Sequence, residues 1–410
     1  MVTRSGSDVM DTHEPSVCII GGAGRVGLPL GVTFALVGVR TTLLDVNAAA
    51  IADIQAGRFP FKEEGGDAAL PAALKSGNLR AVSGPASVIG ESDIVVLVTG
   101  TPVDEYLNPR LADLFAVIDS YLPHFRDGQV LLLRSTVYPG TSERLQNYFV
   151  RKGRTVQVAF CPERIVEGEA LHELAALPQI VSAFDDATRA RVRQLFEKVT
   201  KNDVIELPPF EAELSKLFSN AWRYIKFAVA NQFYTMATQR GVDYGRLYDA
   251  MIQGYERNRD LPRPGFAAGP CLFKDTMQLA AFSQNNFFMG HAAMVVNEGL
   301  PQFLIEHLKQ RLGGSNLSDK TVGILGMTFK ADSDDPRDSL SFKLRKLAAM
   351  EAKEVLCHDP YLPQDGLVPL DELIERSDII ILATPHAQYQ SLDRGRLQDK
   401  VVVDIWRALP

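Results

Sequence analysis

The chain has few cysteines, four in 410 residues, and only seven histidines, scattered along its length. None of them shows the short mutual spacing of a zinc site, so no structural metal is expected. Four thiols in so long a chain, without a secretory context, also argue against a disulfide scaffold and for a reducing cytoplasm. Positive charge is not in excess: 43 Lys and Arg stand against 50 Asp and Glu, a formal net charge of -7. A general nucleic-acid binder needs a basic surface to neutralise phosphates, and that class is set aside. No uninterrupted apolar run approaches the ~20 residues that span a bilayer, so no membrane association is expected. Residues 1–14 are polar without an apolar centre. They read as a disordered tail, not a secretory signal.

What is present is a globular composition, 46% apolar and 23% charged, in a chain long enough for two or three domains. The first half alternates strand and helix. Ser16–Gly21 (SVCIIG), Arg40–Asp45 (RTTLLD), Asp93–Thr99 (DIVVLVT) and Gln129–Arg134 (QVLLLR) are short runs rich in Val, Leu and Ile with no clear polar alternation. Strands buried on both faces of a parallel sheet read this way. The series recurs later: Thr321–Leu325 (TVGIL), Glu354–Asp359 (EVLCHD), Ser377–Thr384 (SDIIILAT) and Lys400–Ile405 (KVVVDI). Between the two series, Phe210 to about Gly241 has helical spacing with no internal proline or glycine, and Lys274–Asn285 and Met289–Arg311 follow as further helices. The fold class is α/β, with two doubly wound, Rossmann-like domains joined by a central helical region containing a long helix. The expected boundaries are 15–205, 206–315 and 316–410.

Gly22-x-Gly24-x-x-Gly27 directly follows the first predicted strand and opens a predicted helix. The first glycine permits the tight turn, the second lets backbone approach a pyrophosphate, and the third allows close helix packing. Asp45 ends the second strand 18 residues after Gly27. A carboxylate there accepts from ribose hydroxyls and repels a 2'-phosphate, so the cofactor expected is NAD, not NADP. In the second series Gly326-Met-Thr-Phe-Lys lacks the further glycines, and a different ligand is expected there.

Gly265-Phe-Ala-Ala-Gly-Pro-Cys271-Leu-Phe-Lys274-Asp275 delivers a cysteine to a predicted helix start, with a cation and a carboxylate close behind. A helix N-terminus and a nearby lysine both favour the thiolate, the reactive form. Cys18, Cys161 and Cys357 lie inside or at the ends of apolar runs and read as buried thiols. Lys216 and Asn220 are spaced i, i+4 and share a helix face, where on the helix alone Lys216 reads as a solvated surface lysine.

Seven segments carry a resemblance that covers nearly the whole chain: GGAGRVGLPLG at 21–31, GTP at 100–102, STVYPGTSE at 135–143, CPERIVEGEA at 161–170, ELSKLFSNAWR at 213–223, GFAAGPCLFKD at 265–275 and GMTFKADSDDPRDS at 326–339. In this order they resemble the UDP-glucose/GDP-mannose dehydrogenase family. The resemblance implies an N-terminal NAD domain, a C-terminal nucleotide-sugar domain and a homodimer formed through the long helix. It implies four-electron oxidation of the terminal CH2OH of a nucleotide hexose to a carboxylate. Cys271 would trap the aldehyde as a thiohemiacetal and carry it on as a thioester. Lys216 and Asn220 would stabilise oxyanions, Asp275 and Thr136 would position water or relay a proton, and Glu167 would be the general base for hydrolysis.

The resemblance also implies cofactor contacts from Gly22, Gly24, Arg25, Val26 and Gly27, and from Asp45, Thr101, Thr136 and Arg337. Substrate contacts are implied for Glu163, Glu167, Lys216 and Asn220, and for Phe266, Gly269 and Lys330. An arginine before the cysteine would reach the sugar, with Arg257 and Arg259 both open. One departure is Gly269-Pro270 where the family commonly has Gly-Gly, which stiffens the loop and removes an N–H donor. A UDP-sugar is the expected substrate, with an N-acetylhexosamine favoured over glucose by the Thr-Pro-Val-Asp-Glu run at 101–105 and the Gly-Pro-Cys loop. The rival readings are a two-electron hydroxyacid dehydrogenase and a catalytically silent NAD-binding protein.

Overall fold

The computed structural model describes residues 15–314, 317–363 and 365–410. The tail at 1–14 and the expected boundary at 315/316 lie outside the described residues. The chain forms two compact units, one of residues up to Thr101 with Leu111–Glu213, the other of Pro102–Arg110 with Leu214–Pro410.

The first unit is built on eight strands: β1 Val17–Ile20, β2 Thr41–Leu44, β3 Leu79–Val82, β4 Ile94–Leu97, β5 Val130–Leu133, β6 Gln157–Phe160, β7 Gln179–Ala183 and β8 Val204–Glu206. Their order is β3-β2-β1-β4-β5-β6-β7-β8, parallel from β3 through β6, with β7 antiparallel to β6 and β8 parallel to β7. Successive side chains enter opposite cores. Val17, Ile19, Leu43, Ile94 and Val96 pack on one face, while Cys18, Ile20, Leu44, Val95 and Leu97 pack on the other. Two apolar faces explain why these strands show no polar alternation. The strand order reverses at β1, which has β2 on one side and β4 on the other. The glycine loop leaves β1 at this switch point, where a doubly wound sheet opens its ligand crevice.

The second unit contains β9 Thr321–Leu325, β10 Glu354–His358, β11 Ile379–Leu382 and β12 Val401–Asp404. They form an all-parallel sheet in the order β10-β9-β11-β12. The long helix runs Pro209–Gln239, with Pro209 at its first turn, where a missing N–H costs nothing. It stops short of Gly241, whose φ of +69° a side chain would resist. Helices Leu272–Phe282 and Phe288–Arg311 follow.

Candidate active site

At the head of the first sheet the glycines are required by contact. A Cβ on Gly22 would lie 2.8 Å from the Leu43 Cα, and one on Gly27 would lie 2.3 Å from the Gly21 carbonyl oxygen. Any side chain at either position would push the Gly27–Leu36 helix off the sheet. Gly24 is different: its nearest atom would be the Gly21 oxygen at 3.4 Å, so its other side is open. Val26 holds the N-cap position and makes no side-chain cap bond. In the first turn the Leu28 N–H is taken by the Gly24 carbonyl at 2.9 Å and Pro29 has none, so it is mainly the positive end of the helix dipole that favours a bound anion. Asp45 accepts from the Ala23 N–H at 3.0 Å and the Asn47 N–H at 2.9 Å. Each carboxylate oxygen retains a second acceptor site for a ribose hydroxyl. These features fit NAD.

Further along the same unit, Ser135 staples β5 to β4: the Thr99 N–H donates to Ser135 Oγ at 2.8 Å and Ser135 Oγ donates to the Thr99 carbonyl at 2.7 Å. Thr136 follows, half-buried, and Thr101 is half-buried after β4. Arg25 lies 5.0 Å from the Phe61 ring centre and 3.9 Å from Glu167, so two of the expected site residues meet here. Glu163 is occupied otherwise. Its carboxylate takes the Arg134 Nε at 2.9 Å and the N–H groups of Arg164 and Ile165. Arg134 is fully buried, and it also binds Gln179 and the Cys161 carbonyl and faces the Phe196 ring at 4.7 Å. Nothing in the local pattern around Arg134 marked it as a buried cation, because its partners are 27 to 45 residues away.

In the second unit, Cys271 stands at the N-cap of Leu272–Phe282 and is exposed. The other three thiols are buried, which pushes Cys18 and Cys161 up to about 12 and Cys357 to about 11. Asp275, one turn into the helix, is 0% exposed. It accepts from Asn220 Nδ2 at 2.6 Å and pairs with Lys274 at 2.8 Å. Lys216 and Asn220 are both buried on the long helix. The cation behind Cys271 is therefore engaged by Asp275, and the helix itself presents the thiol.

The loop before Cys271 is fastened at both ends. Gly269 has φ +98° and its N–H donates to the Asp338 carbonyl at 3.2 Å. A Cβ there would be 2.5 Å from the Phe329 ring. The GPC loop thus packs on the GMTFKADSDDPRDS segment, bringing together two motifs about 60 residues apart. Phe266 is core, packed with Leu300, Leu304 and Val322, which leaves only its backbone for a ligand. Lys330 is half-buried beside this contact, and its carbonyl accepts from Thr328 Oγ at 3.1 Å. Arg337 makes a forked pair with Asp335, both Nε distances being 2.9 Å. Arg257 lies over Tyr255, and Arg259 pairs with Glu256 on an exposed turn.

Three family models match the chain in sequence: the NAD-binding domain of the UDP-glucose/GDP-mannose dehydrogenase family over 15–200, its central domain over 210–298 and its UDP-binding domain over 323–410. The chain belongs to this family. A UDP-N-acetyl-D-mannosamine dehydrogenase from Methanocaldococcus jannaschii is 26% identical over 404 residues, covering 95% of this chain and 91% of that protein. An NDP-N-acetyl-D-galactosaminuronic acid dehydrogenase from Ralstonia nicotianae is 26% identical, with 94% and 95% covered. Among solved structures, a UDP-glucose dehydrogenase from the archaeon Pyrobaculum islandicum superposes with a TM-score of 0.87 at 26% identity, over 99% of this chain and all of that one. The protein is an NAD-dependent nucleotide-sugar dehydrogenase, with NAD as cofactor and a nucleotide sugar as substrate. Among the described residues no helix is long and apolar enough to cross a membrane, and no cluster of His, Cys, Asp and Glu could hold a metal ion.

Proposed function

We propose that this dehydrogenase oxidises the terminal CH2OH of a UDP-N-acetylhexosamine to the carboxylate, through covalent chemistry at Cys271. The carrying observation is the contrast among the thiols: Cys271 alone is exposed, at a helix start, with the buried Asn220–Asp275 pair one turn behind it. NAD, when bound, accepts one hydride in each of two oxidations. The hydroxyl proton leaves as the aldehyde forms, and the Cys271 sulfur adds to the carbonyl carbon to give a thiohemiacetal. Lys216 and Asn220 supply charge and an amide donor to the oxygen that becomes negative. Loss of the second hydride converts the adduct to a thioester. Water, positioned by Asp275 and Thr136 and deprotonated by Glu167, attacks that carbon and releases the acid and the thiol.

The domains proposed to divide this work are 15–205 for NAD, 206–315 for spacing and dimerisation, and 316–410 for the nucleotide sugar. Gly22, Gly24, Arg25, Val26, Gly27, Asp45, Thr101 and Arg337 are assigned to the cofactor; Lys330, the backbone of Phe266 and Gly269, and one of Arg257 and Arg259 are assigned to the sugar nucleotide. Glu163, its carboxylate filled by Arg134 and the Arg164 and Ile165 N–H groups, is assigned to shaping the loop that carries Glu167. The preference for an N-acetylhexosamine is supported by the names of the relatives above. A homodimer is supported by the long helix itself. Phe218, Trp222, Val229, Phe233 and Met236 form a stripe, each 40–57% exposed, on the face away from Lys216. We place the protein in the cytoplasm, in keeping with its free thiols.

The test is the stoichiometry of NADH against sugar over UDP-N-acetylmannosamine, UDP-N-acetylglucosamine, UDP-glucose and GDP-mannose. Two NADH per sugar, abolished by Cys271→Ala, is expected. One NADH per sugar, or unchanged turnover in the variant, overturns the covalent reading.

A further inference from the structure

Six residues before Cys271, Gly265 is gripped by a single side chain. Its N–H donates to Asn231 Oδ1 at 2.8 Å, and its carbonyl accepts from Asn231 Nδ2 at 3.0 Å. The second Nδ2 hydrogen goes to Asn297 Oδ1 at 2.9 Å, and Asn297 Nδ2 donates to the Tyr224 carbonyl at 3.0 Å. Both asparagines are fully buried. The chemistry fixes the amide orientation, because a backbone N–H must meet the oxygen and a backbone carbonyl must meet the nitrogen. On its other side Gly265 is closed by Trp406, whose ring a Cβ would approach to 2.1 Å.

The position of Asn231 on its helix is informative. At about 100° per residue, Asn220 lies roughly 40° and Asn231 roughly 60° around from Lys216. One face of one helix therefore carries two groups proposed for oxyanion stabilisation together with the clamp on the nucleophile's loop. It touches that loop on both sides of the thiol: at Gly265 through Asn231, and at Asp275, four residues beyond Cys271, through Asn220. Beyond the stability it gives by pairing the buried Gly265 N–H and carbonyl, which an apolar side chain of similar shape would leave without partners, the amide fixes where these groups sit. What the amide adds is direction.

We propose that Asn231 is a positioning residue for Cys271, setting the height of the nucleophile loop along the helix that carries Lys216 and Asn220. This rests on the reading of Cys271 as nucleophile. The cysteine must lie within a fraction of an ångström of its attack position, and a shift of about 1 Å costs on the order of 100-fold in rate.

The experiment compares Asn231→Ala, Asn231→Asp and Asn297→Ala with the unaltered full-length enzyme, with melting temperature measured for each. For Asn231→Ala, kcat is expected to fall about 10- to 100-fold while KM for the UDP-sugar stays within about 3-fold. Asn231→Asp has the shape of asparagine, but its ionised form cannot donate to the Gly265 carbonyl. The protonated carboxyl can, so its kcat relative to the unaltered enzyme should rise as pH is lowered, which a bulk packing role would not produce. Asn297→Ala leaves both bonds to Gly265 and should show the same kcat-selective loss at smaller size. It also serves if Asn231→Ala does not fold. A folded Asn231→Ala with kcat within about 2-fold of normal, or an Asn231→Asp ratio flat with pH, overturns the proposal. Cys271→Ala in parallel separates the two failures: if it retains NADH formation the covalent reading falls, and if it is silent while Asn231→Ala is fully active only the clamp falls.

Discussion

Asp45 and Asp359 hold the same place in two copies of one plan. Each follows the second strand of its sheet and accepts backbone N–H groups from the loop after the first: Ala23 for Asp45 at 3.0 Å, Met327 and Thr328 for Asp359 at 2.7 and 3.0 Å. The copies then part. Asp45 is half-exposed, whereas Asp359 is 0% exposed and takes the buried His386 Nε2 at 3.1 Å. Burial pushes the Asp359 carboxyl up, but the bonds from His386, Met327 and Tyr361 outweigh it and hold it below the usual range. One sheet leaves its carboxylate accessible, and the other uses it to hold its own loop.

Asp45→Ala should therefore weaken NAD rather than the fold. Hydrogen bonds to a charged group are worth ~1.5–3 kcal/mol, so KM for NAD should rise about 10- to 100-fold. Use of NADP should become measurable, because the group that repels a 2'-phosphate is gone. Steady-state kinetics with both cofactors reads this, and an unchanged cofactor ratio would count against the role of Asp45.

Glu163 and Glu167 sit four residues apart and should fail in different ways. Glu163→Ala leaves the fully buried Arg134 without its counter-charge, a loss on the order of 3–5 kcal/mol. Glu167, 3.9 Å from Arg25 and half-buried, has no such debt. Glu167→Ala should keep its denaturation midpoint and lose turnover. Urea titrations and initial rates on the two variants test the contrast.

The thiols should separate by reactivity and by pH. At pH 8 the native protein should take up one iodoacetamide, at Cys271, and three more only after unfolding. Burial raises Cys18 and Cys161 to about 12 and Cys357 to about 11, from an ordinary value of 9.0. Between roughly pH 9 and 11 each is protonated when folded and ionised when unfolded, so the folded state binds more protons. Their contribution to stability is complete below pH 9 and is lost as pH rises, by about 1.4 kcal/mol per thiol per pH unit. Denaturant titrations at pH 8.5 and 10.5 should show the fall, and replacing all three by alanine should reduce it, the remainder coming from buried tyrosines such as Tyr224 and Tyr389, which burial also pushes up.

How much of this was written in the chain can be argued from particular residues. Strands β1, β2, β4, β5 and β9 to β12 are apolar runs and were legible as such. Strands β3, β6, β7 and β8 were not, because Leu79–Val82 is short and alternates with arginine and Val204–Glu206 is largely exposed. Cys271, Lys216, Asn220 and the glycine loop stand in local motifs. Asn231, Arg134 and His386 do not, since each acquires its meaning from partners more than 25 residues away.

The order of residues alone settled the family, the two related sheets and the candidate nucleophile, because a glycine turn, a two-faced apolar strand and a cysteine at a helix start are local properties of the backbone. Only the tertiary structure decided which carboxylates stay open and which are consumed, and which asparagine grips the cysteine's loop. Burial and hydrogen-bond partnership are relations between distant segments, and they come into being only when the chain has closed around them.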